Sequence, residues 1–374
     1  MSRLWIALAA LLLLTLPVAC GSDPRPAARA WLPPAPQAAP STAPADGPTL
    51  RAAAARDRLL IGTAVNMDYL YTEPAYRAPI AREFSSVTPE NVMKWGFVER
   101  VRGQLDFSQA DELVAFARAQ GQRVRGHTLV WTDQLPAWLT SGSFTPAELG
   151  QLLHQHITDE VTHFRGKVAQ WDVVNEAVND DGTLRDTMWL RALGPGYVAD
   201  AFRWAHEADP DAELFYNDFG IEGLGVKSDA VRALLQQLRA QGVRVDGVGI
   251  QAHLSLALPL PNGVHENLRK FSDLGLAAEF TEADVRVPLP ADATKLAAQA
   301  QAYRLLLDSC LATPRCTGMT VWGFSDHHSW IPGAYAGFGA ADLLDDAYRP
   351  KPAYEALRSD LLTAAPPPRG TRSG

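Results

Sequence analysis

Residues 168–177 read VAQWDVVNEA, a short β-branched run that breaks off in an amide and a carboxylate, Asn175 and Glu176. A run of that length and composition reads as a buried strand. Three comparable runs precede it: LLIGTAV from Leu59, FSSVTPENV from Phe84 and RVRGHTLVW from Arg123. Four follow: ELFYNDF from Glu213, VDGVGIQAH from Val245, LAAEFTEAD from Leu276 and GMTVWGFSD from Gly318. Helical stretches separate them, a spacing that calls for parallel strands joined by crossover helices. Eight such units close on themselves, so the predicted fold is α/β, a single (β/α)8 TIM barrel over residues 49–362.

The helices between the strands carry start and stop signals. Thr145, Pro146 and Glu148 form a predicted capping box and first turn. Leu149, Leu152, Leu153, Ile157, Val161 and Phe164 then share one face, and Gly166 ends the helix. Ser108 with Asp111 is read as the same device for an earlier helix that stops at Gly121. A third helix spans Ser228 to Gly242 and turns Val231, Leu234, Leu235 and Leu238 inward.

Composition narrows the function classes. The 374 residues are 47% hydrophobic and 20% charged with a net charge of −8, which describes an ordinary globular protein. No basic run tracks a phosphate backbone, so nucleic acid is excluded as a partner.

Arg3 precedes an apolar stretch from Leu4 to Ala19, shorter than a membrane-spanning helix needs, and residues 1–20 read as a signal peptide. LPVACGSD resembles a bacterial lipoprotein signal with lipidation at Cys20. Ordinary cleavage near Gly21 is the alternative, so the protein is expected either lipid-anchored in the cell envelope or secreted. Residues 21–48 are Pro- and Ala-rich and read as a linker, and 363–374 as a flexible tail. With Cys20 lipidated, the other two cysteines, Cys310 and Cys316, are free to pair across a short loop, worth about 2 kcal/mol; two buried thiols are the alternative.

In a barrel of this kind functional groups gather at the carboxyl ends of the strands. Those ends carry Glu90, Asn91 and Lys94; His127, Trp131 and Gln134; Asn175 and Glu176; Asn217 and Asp218; Gln251 and His253; Glu282 and Asp284; Trp322 and Asp326. Carboxylates, amides and tryptophans with no cofactor motif describe a sugar site, since aromatic faces stack on pyranose rings and amides bind hydroxyls. Glu176 and Glu282 end the fourth and seventh strands, across a narrow mouth, and supply the two carboxyl groups that glycoside hydrolysis needs. His154, His156 and His163 lie on one helix at spacings that do not converge, so no metal and no cofactor is expected.

WDVVNEA around Glu176 and EFTEADV around Glu282 resemble the acid/base and nucleophile motifs of the family-10 glycoside hydrolases, chiefly endo-β-1,4-xylanases. TPENVMKW from Thr88, GHTLVW from Gly126, WLTSG from Trp138, NDF from Asn217, GIQAHL from Gly249, VWGFSDHHSW from Val321 and RPKPAY from Arg349 agree with it, over roughly residues 50–362. The resemblance implies a retaining mechanism on xylan and xylo-oligosaccharides, with Glu282 as nucleophile and Glu176 as acid/base. Two carboxyl groups ~5.5 Å apart cost ~3 kcal/mol to ionise together, which favours one proton on the pair. By the same resemblance His253 and Asp284 support the nucleophile, Asn175 binds a 2-hydroxyl, and Glu90, Asn91, Lys94, His127 and Gln251 line the glycone side. Trp131, Trp322 and Trp330 are read as stacking walls and Gln134 as a further substrate contact, whereas Trp171 and Trp204 are read as core. Thr132, Asp133, Phe219, Ala283, His327 and His328 depart from the family's commoner residues, which leaves affinity on the leaving-group side open. The expected enzyme is a monomer. A β-1,4-glucanase or mixed enzyme is the rival reading, and a non-catalytic glycan-binding lipoprotein a second.

Overall fold

The computed structural model describes residues 47–364, so the signal peptide, Cys20, nearly all of the 21–48 linker and most of the tail lie outside the described residues. Among the described residues there are ten strands: β1 (Leu60–Val65), β2 (Ser86–Pro89), β3 (Arg123–Val130), β4 (Gln170–Asn175), β5 (Glu213–Asp218), β6 (Gly247–Ile250), β7 (His253–Ser255), β8 (Ala277–Pro288), β9 (Cys316–Val321) and β10 (Phe338–Gly339). Eight of them pair in parallel around a closed ring, β1–β2–β3–β4–β5–β6–β8–β9, and β9 returns to β1 with Thr63 opposite Val321. The predicted barrel is therefore the observed one.

Two runs differ from expectation at their ends. VDGVGIQAH is split, because Ala252 adopts a left-handed φ of 64° between β6 and β7, and His253 pairs with β8 opposite Asp284. β8 runs on to Pro288, where its far end pairs with β10 in antiparallel fashion. Close strand packing needs glycine in places: a Cβ on Gly126 would lie 2.2 Å from the Trp171 ring, and one on Gly249 2.2 Å from Asn217 Oδ1.

Crossover helices cover the barrel. Pro146–His163 opens with the predicted capping box, both reciprocal hydrogen bonds being formed between Thr145 and Glu148. The helix Ser108–Ala119 starts differently. Ser108 is its first residue, and Asp106 accepts from the Ser108 backbone N–H and hydroxyl. Asp111, read as part of a cap, instead meets His163 at 2.9 Å. The helix Val226–Ala240 buries Val231, Leu235 and Leu238 but leaves Leu234 only half-buried. The last helix, Pro352–Thr363, ends one residue past the predicted domain boundary. Cys310 and Cys316 form a disulfide with Cα atoms 5.1 Å apart. Trp171 is fully buried, and Trp204 is half-buried against the His154 ring.

The barrel axis holds a polar layer. Arg125 on β3 donates to Asp172 on β4 at 3.1 Å and to Glu279 on β8 at 2.7 Å, with its guanidinium over the Phe215 ring. All three charged side chains are buried. Gln170 completes the set by donating to Glu279 at 2.8 Å. Buried ions of this kind persist only where they are paired and hydrogen-bonded.

Candidate active site

Above this layer, at the carboxyl ends of the strands, lies a cavity of about 880 Å³. Glu90, Asn91, Lys94, His127, Trp131, Gln134, Asn175, Glu176, Gln251, His253, Glu282, Trp322 and Trp330 all line it. Asp284 does not; it stands behind His253. The disulfide is remote from the cavity lining.

Glu282 is held on both oxygens. Asn217 Nδ2 donates to Oε1 at 2.8 Å, and His253 Nε2 meets Oε2 at 3.1 Å. His253 turns its other nitrogen, Nδ1, to Asp284 at 2.8 Å, so its ring is fixed between two carboxylates. Burial would strip the proton from His253, but Asp284 and Glu282 outweigh it and raise its pKa well above the ordinary imidazole range. Burial likewise works against charge on Glu282, yet the His253 hydrogen bond and the charges of His127 and His253 prevail and hold it below the ordinary carboxylate value of 4.5. Glu282 is the carboxylate built to remain ionised.

Glu176 follows β4 with a left-handed φ of 58°, a conformation that costs a non-glycine residue energy and marks a backbone held by its surroundings. Part of that hold is visible: the next residue, Ala177, donates its N–H to the Tyr216 hydroxyl, which donates in turn to Asp218 at 2.6 Å. Burial pushes Asp218 up to about 6 against the opposing Lys227 ammonium, 3.0 Å away. The Glu176 carboxyl receives Trp131 Nε1 at 2.9 Å, Arg185 Nη1 at 3.2 Å and Gln251 Nε2 at 3.0 Å.

A line of amides joins the two glutamates. Asn175 Oδ1 accepts from Gln251 at 3.2 Å and from Asn217 at 2.9 Å, while those same amides donate to Glu176 and Glu282 respectively. The other atom of the Asn175 amide lies 3.2 Å from Trp131 Nε1, so the Asn175 side chain is in contact with Gln251, Asn217 and Trp131 together.

One wall is cationic and aromatic. Lys94 is buried, donates to Gln134 at 2.6 Å and lies over the Trp131 ring at 4.9 Å. Burial lowers its pKa, opposed by Glu282, Glu90 and Glu176. Glu90 is raised by its own burial, with Lys94 opposing. Asn91 accepts from Gln134 at 3.1 Å and donates to Glu90 at 3.2 Å. Trp322 stands edge-on to His127 at 5.2 Å, and Trp330 edge-on to His253 at 5.2 Å with its indole N–H on Asp284 at 2.8 Å. His127 Nδ1 sits on Asp172 at 2.9 Å, linking the cavity floor to the buried layer, and is 3.9 Å from Glu282.

Some residues of the site were not predicted from sequence. Asn217 and Asp172 lie in the NDF and WDVVNEA stretches but were given no role, and Arg125 and Arg185 carried no motif. Arg286 and Tyr335, stacked at 4.1 Å, also line the cavity. A signal did exist for the buried layer: Arg125, Asp172 and Glu279 interrupt otherwise apolar strands.

A parallel barrel with two facing glutamates, an amide relay and tryptophan walls at its carboxyl-end mouth defines a glycoside hydrolase. Comparison with known sequences narrows the class. A sequence profile for glycosyl hydrolase family 10 matches residues 49–360, and the chain belongs to that family. It is 41% identical over 312 residues to endo-1,4-beta-xylanase B of Thermotoga neapolitana, spanning 83% of this chain and 90% of that protein. Identity to an endo-1,4-beta-xylanase of Agaricus bisporus is 41% over 298 residues, or 79% of this chain and 89% of the relative. Among solved structures, xylanase 10B of Thermotoga petrophila in complex with xylobiose superposes with a TM-score of 0.82 at 42% identity, covering 85% of this chain and 98% of that one.

Proposed function

We propose that the enzyme is a retaining endo-β-1,4-xylanase that cleaves internal bonds of xylan and xylo-oligosaccharides by double displacement. The observation that carries the proposal is the unequal setting of the two glutamates. Glu282 is clamped by Asn217 and the charged His253 as an anion, while Glu176 faces it through the Gln251–Asn175–Asn217 amides.

Glu282 attacks the anomeric carbon as Glu176 gives its proton to the leaving glycosidic oxygen, and the sugar becomes an ester of Glu282. Esterification removes the charge facing Glu176. Water then loses a proton to Glu176 and displaces Glu282, so the product keeps its original configuration. Asn175 binds a 2-hydroxyl, with Glu90, Asn91, Lys94, His127, Gln134 and Gln251 as further polar contacts and Trp131, Trp322 and Trp330 as stacking faces.

Xylan as substrate is supported by the named activity of the relatives and by the xylobiose held by the Thermotoga petrophila enzyme. Glucose carries one hydroxymethyl group more than xylose, a difference that supports only ~1–3 kcal/mol of discrimination. The direct test is reducing-sugar release from xylan and from carboxymethylcellulose, with the first-formed anomer followed by NMR. Faster release from xylan with β-anomer appearing first supports the proposal; release from carboxymethylcellulose alone, or the α-anomer first, overturns it. The proposal extends to the cellular setting: a monomer, exported by residues 1–20 and either anchored through Cys20 or secreted, with residues 21–48 as tether. Radiolabelled palmitate incorporated into the full chain and lost in Cys20→Ala distinguishes the two fates.

A further inference from the structure

We propose that Glu73, His327 and His328 form a binding site for one divalent transition-metal ion of the zinc, cobalt or nickel class, on the barrel rim. None of the three lines the cavity that holds the glutamates. Glu73 follows the helix Met67–Thr72 after β1, and the two histidines belong to the turn Asp326–His328 after β9, the strand next to β1 in the barrel. The fold thus brings two distant stretches of chain together, and their ligating atoms all lie within 4.8 Å of one another.

The donor set and its spacing suit such an ion. Two imidazoles and one carboxylate form a mixed nitrogen–oxygen set, which suits zinc, cobalt and nickel rather than the all-oxygen shells of calcium and magnesium. Ligands bound at ~2.0–2.2 Å stand about 2.8–3.1 Å apart along an octahedral edge and about 3.3–3.6 Å along a tetrahedral one. His328 Nε2 and Glu73 Oε2 are 2.9 Å apart, close to the octahedral edge length. His327 is exposed and completes the face by turning its ring inward.

The other two ligands are already oriented. The His328 ring stacks on Tyr69 with centroids 3.6 Å apart and stands edge-on to Tyr76, and Tyr348 donates its hydroxyl to Glu73 Oε2 at 3.2 Å. Such outer partners fix ring planes and carboxylate lone pairs. His327, at the surface, gives the ion its path in from solvent. A bound ion cross-links the loops after β1 and β9, and the second of these leads within two residues to Trp330, whose indole is tied to Asp284.

The test is calorimetric titration of ZnCl₂ into the untagged full-length protein, repeated with CoCl₂ while its visible absorption is recorded. One saturable site in the micromolar range, with a rise in melting temperature, is expected. His327→Ala, at an exposed position where folding is not at stake, should weaken binding by about tenfold or more, as should Glu73→Gln; His154→Ala, on a helix elsewhere, should leave it unchanged. Absence of saturable 1:1 binding, or equal affinity in the wild type, His327→Ala and Glu73→Gln, overturns the site. So does an equal loss in His154→Ala.

Discussion

At the scale of single residues, two like side chains carry unlike roles. Glu282→Ala should leave no measurable turnover on any substrate. Glu176→Ala should lose about 10²- to 10⁴-fold on xylan, the usual worth of a general acid–base group, yet still react at the first step with an aryl xylobioside whose leaving group needs no proton. Steady-state and burst kinetics on both substrates check this; equal failure of the two variants at the first step reverses the assignment. The pH profile adds a second check. Because the Glu282 pKa is depressed below 4.5, the carboxylate stays ionised as pH falls to that value, and the acid limb of kcat/KM lies lower still. Replacing His253 by alanine removes the hydrogen bond and charge that oppose burial, so the Glu282 pKa rises and the acid limb moves to higher pH. An unmoved limb contradicts the role given to His253.

At the scale of elements, local chemistry and long-range packing can be separated. The Thr145 cap was legible because a capping box lies within four residues of sequence, and Thr145→Ala should cost about 1 kcal/mol, lowering the melting temperature by ~2 °C or less in a protein of this size. Cys316→Ser should cost about 2 kcal/mol by freeing a short loop in the unfolded chain. Calorimetry of each variant checks both values. Where prediction failed, the deciding partner lay nearby in sequence but outside the motif, or far away. Asp106 outcompeted the expected Ser108–Asp111 cap, and His163, fifty-two residues on, claimed Asp111. The break between β6 and β7 follows from the backbone turn at Ala252, which no glycine or proline announces.

At the scale of the whole molecule, the alternation of strands and helices made the barrel legible, and barrel topology made the strand-end residues a site before any contact was known. Hidden from that reading was the buried layer of Arg125, Asp172 and Glu279, since a charged residue within a strand shows its partners only when the barrel closes. Arg125→Leu should leave two carboxylates buried without their cation and destabilise the fold by about 3–5 kcal/mol, measured by denaturant unfolding; a change below 1 kcal/mol contradicts the account of that layer. Closure of the ring is also what sets Glu176, just after β4, against Glu282 on β8. The most direct test is mass spectrometry of Glu176→Ala incubated with an activated aryl xylobioside. The account predicts a protein heavier by one xylobiosyl group, with the added mass on the peptide containing Glu282. Turnover without any adduct, or an adduct on another residue, would contradict it.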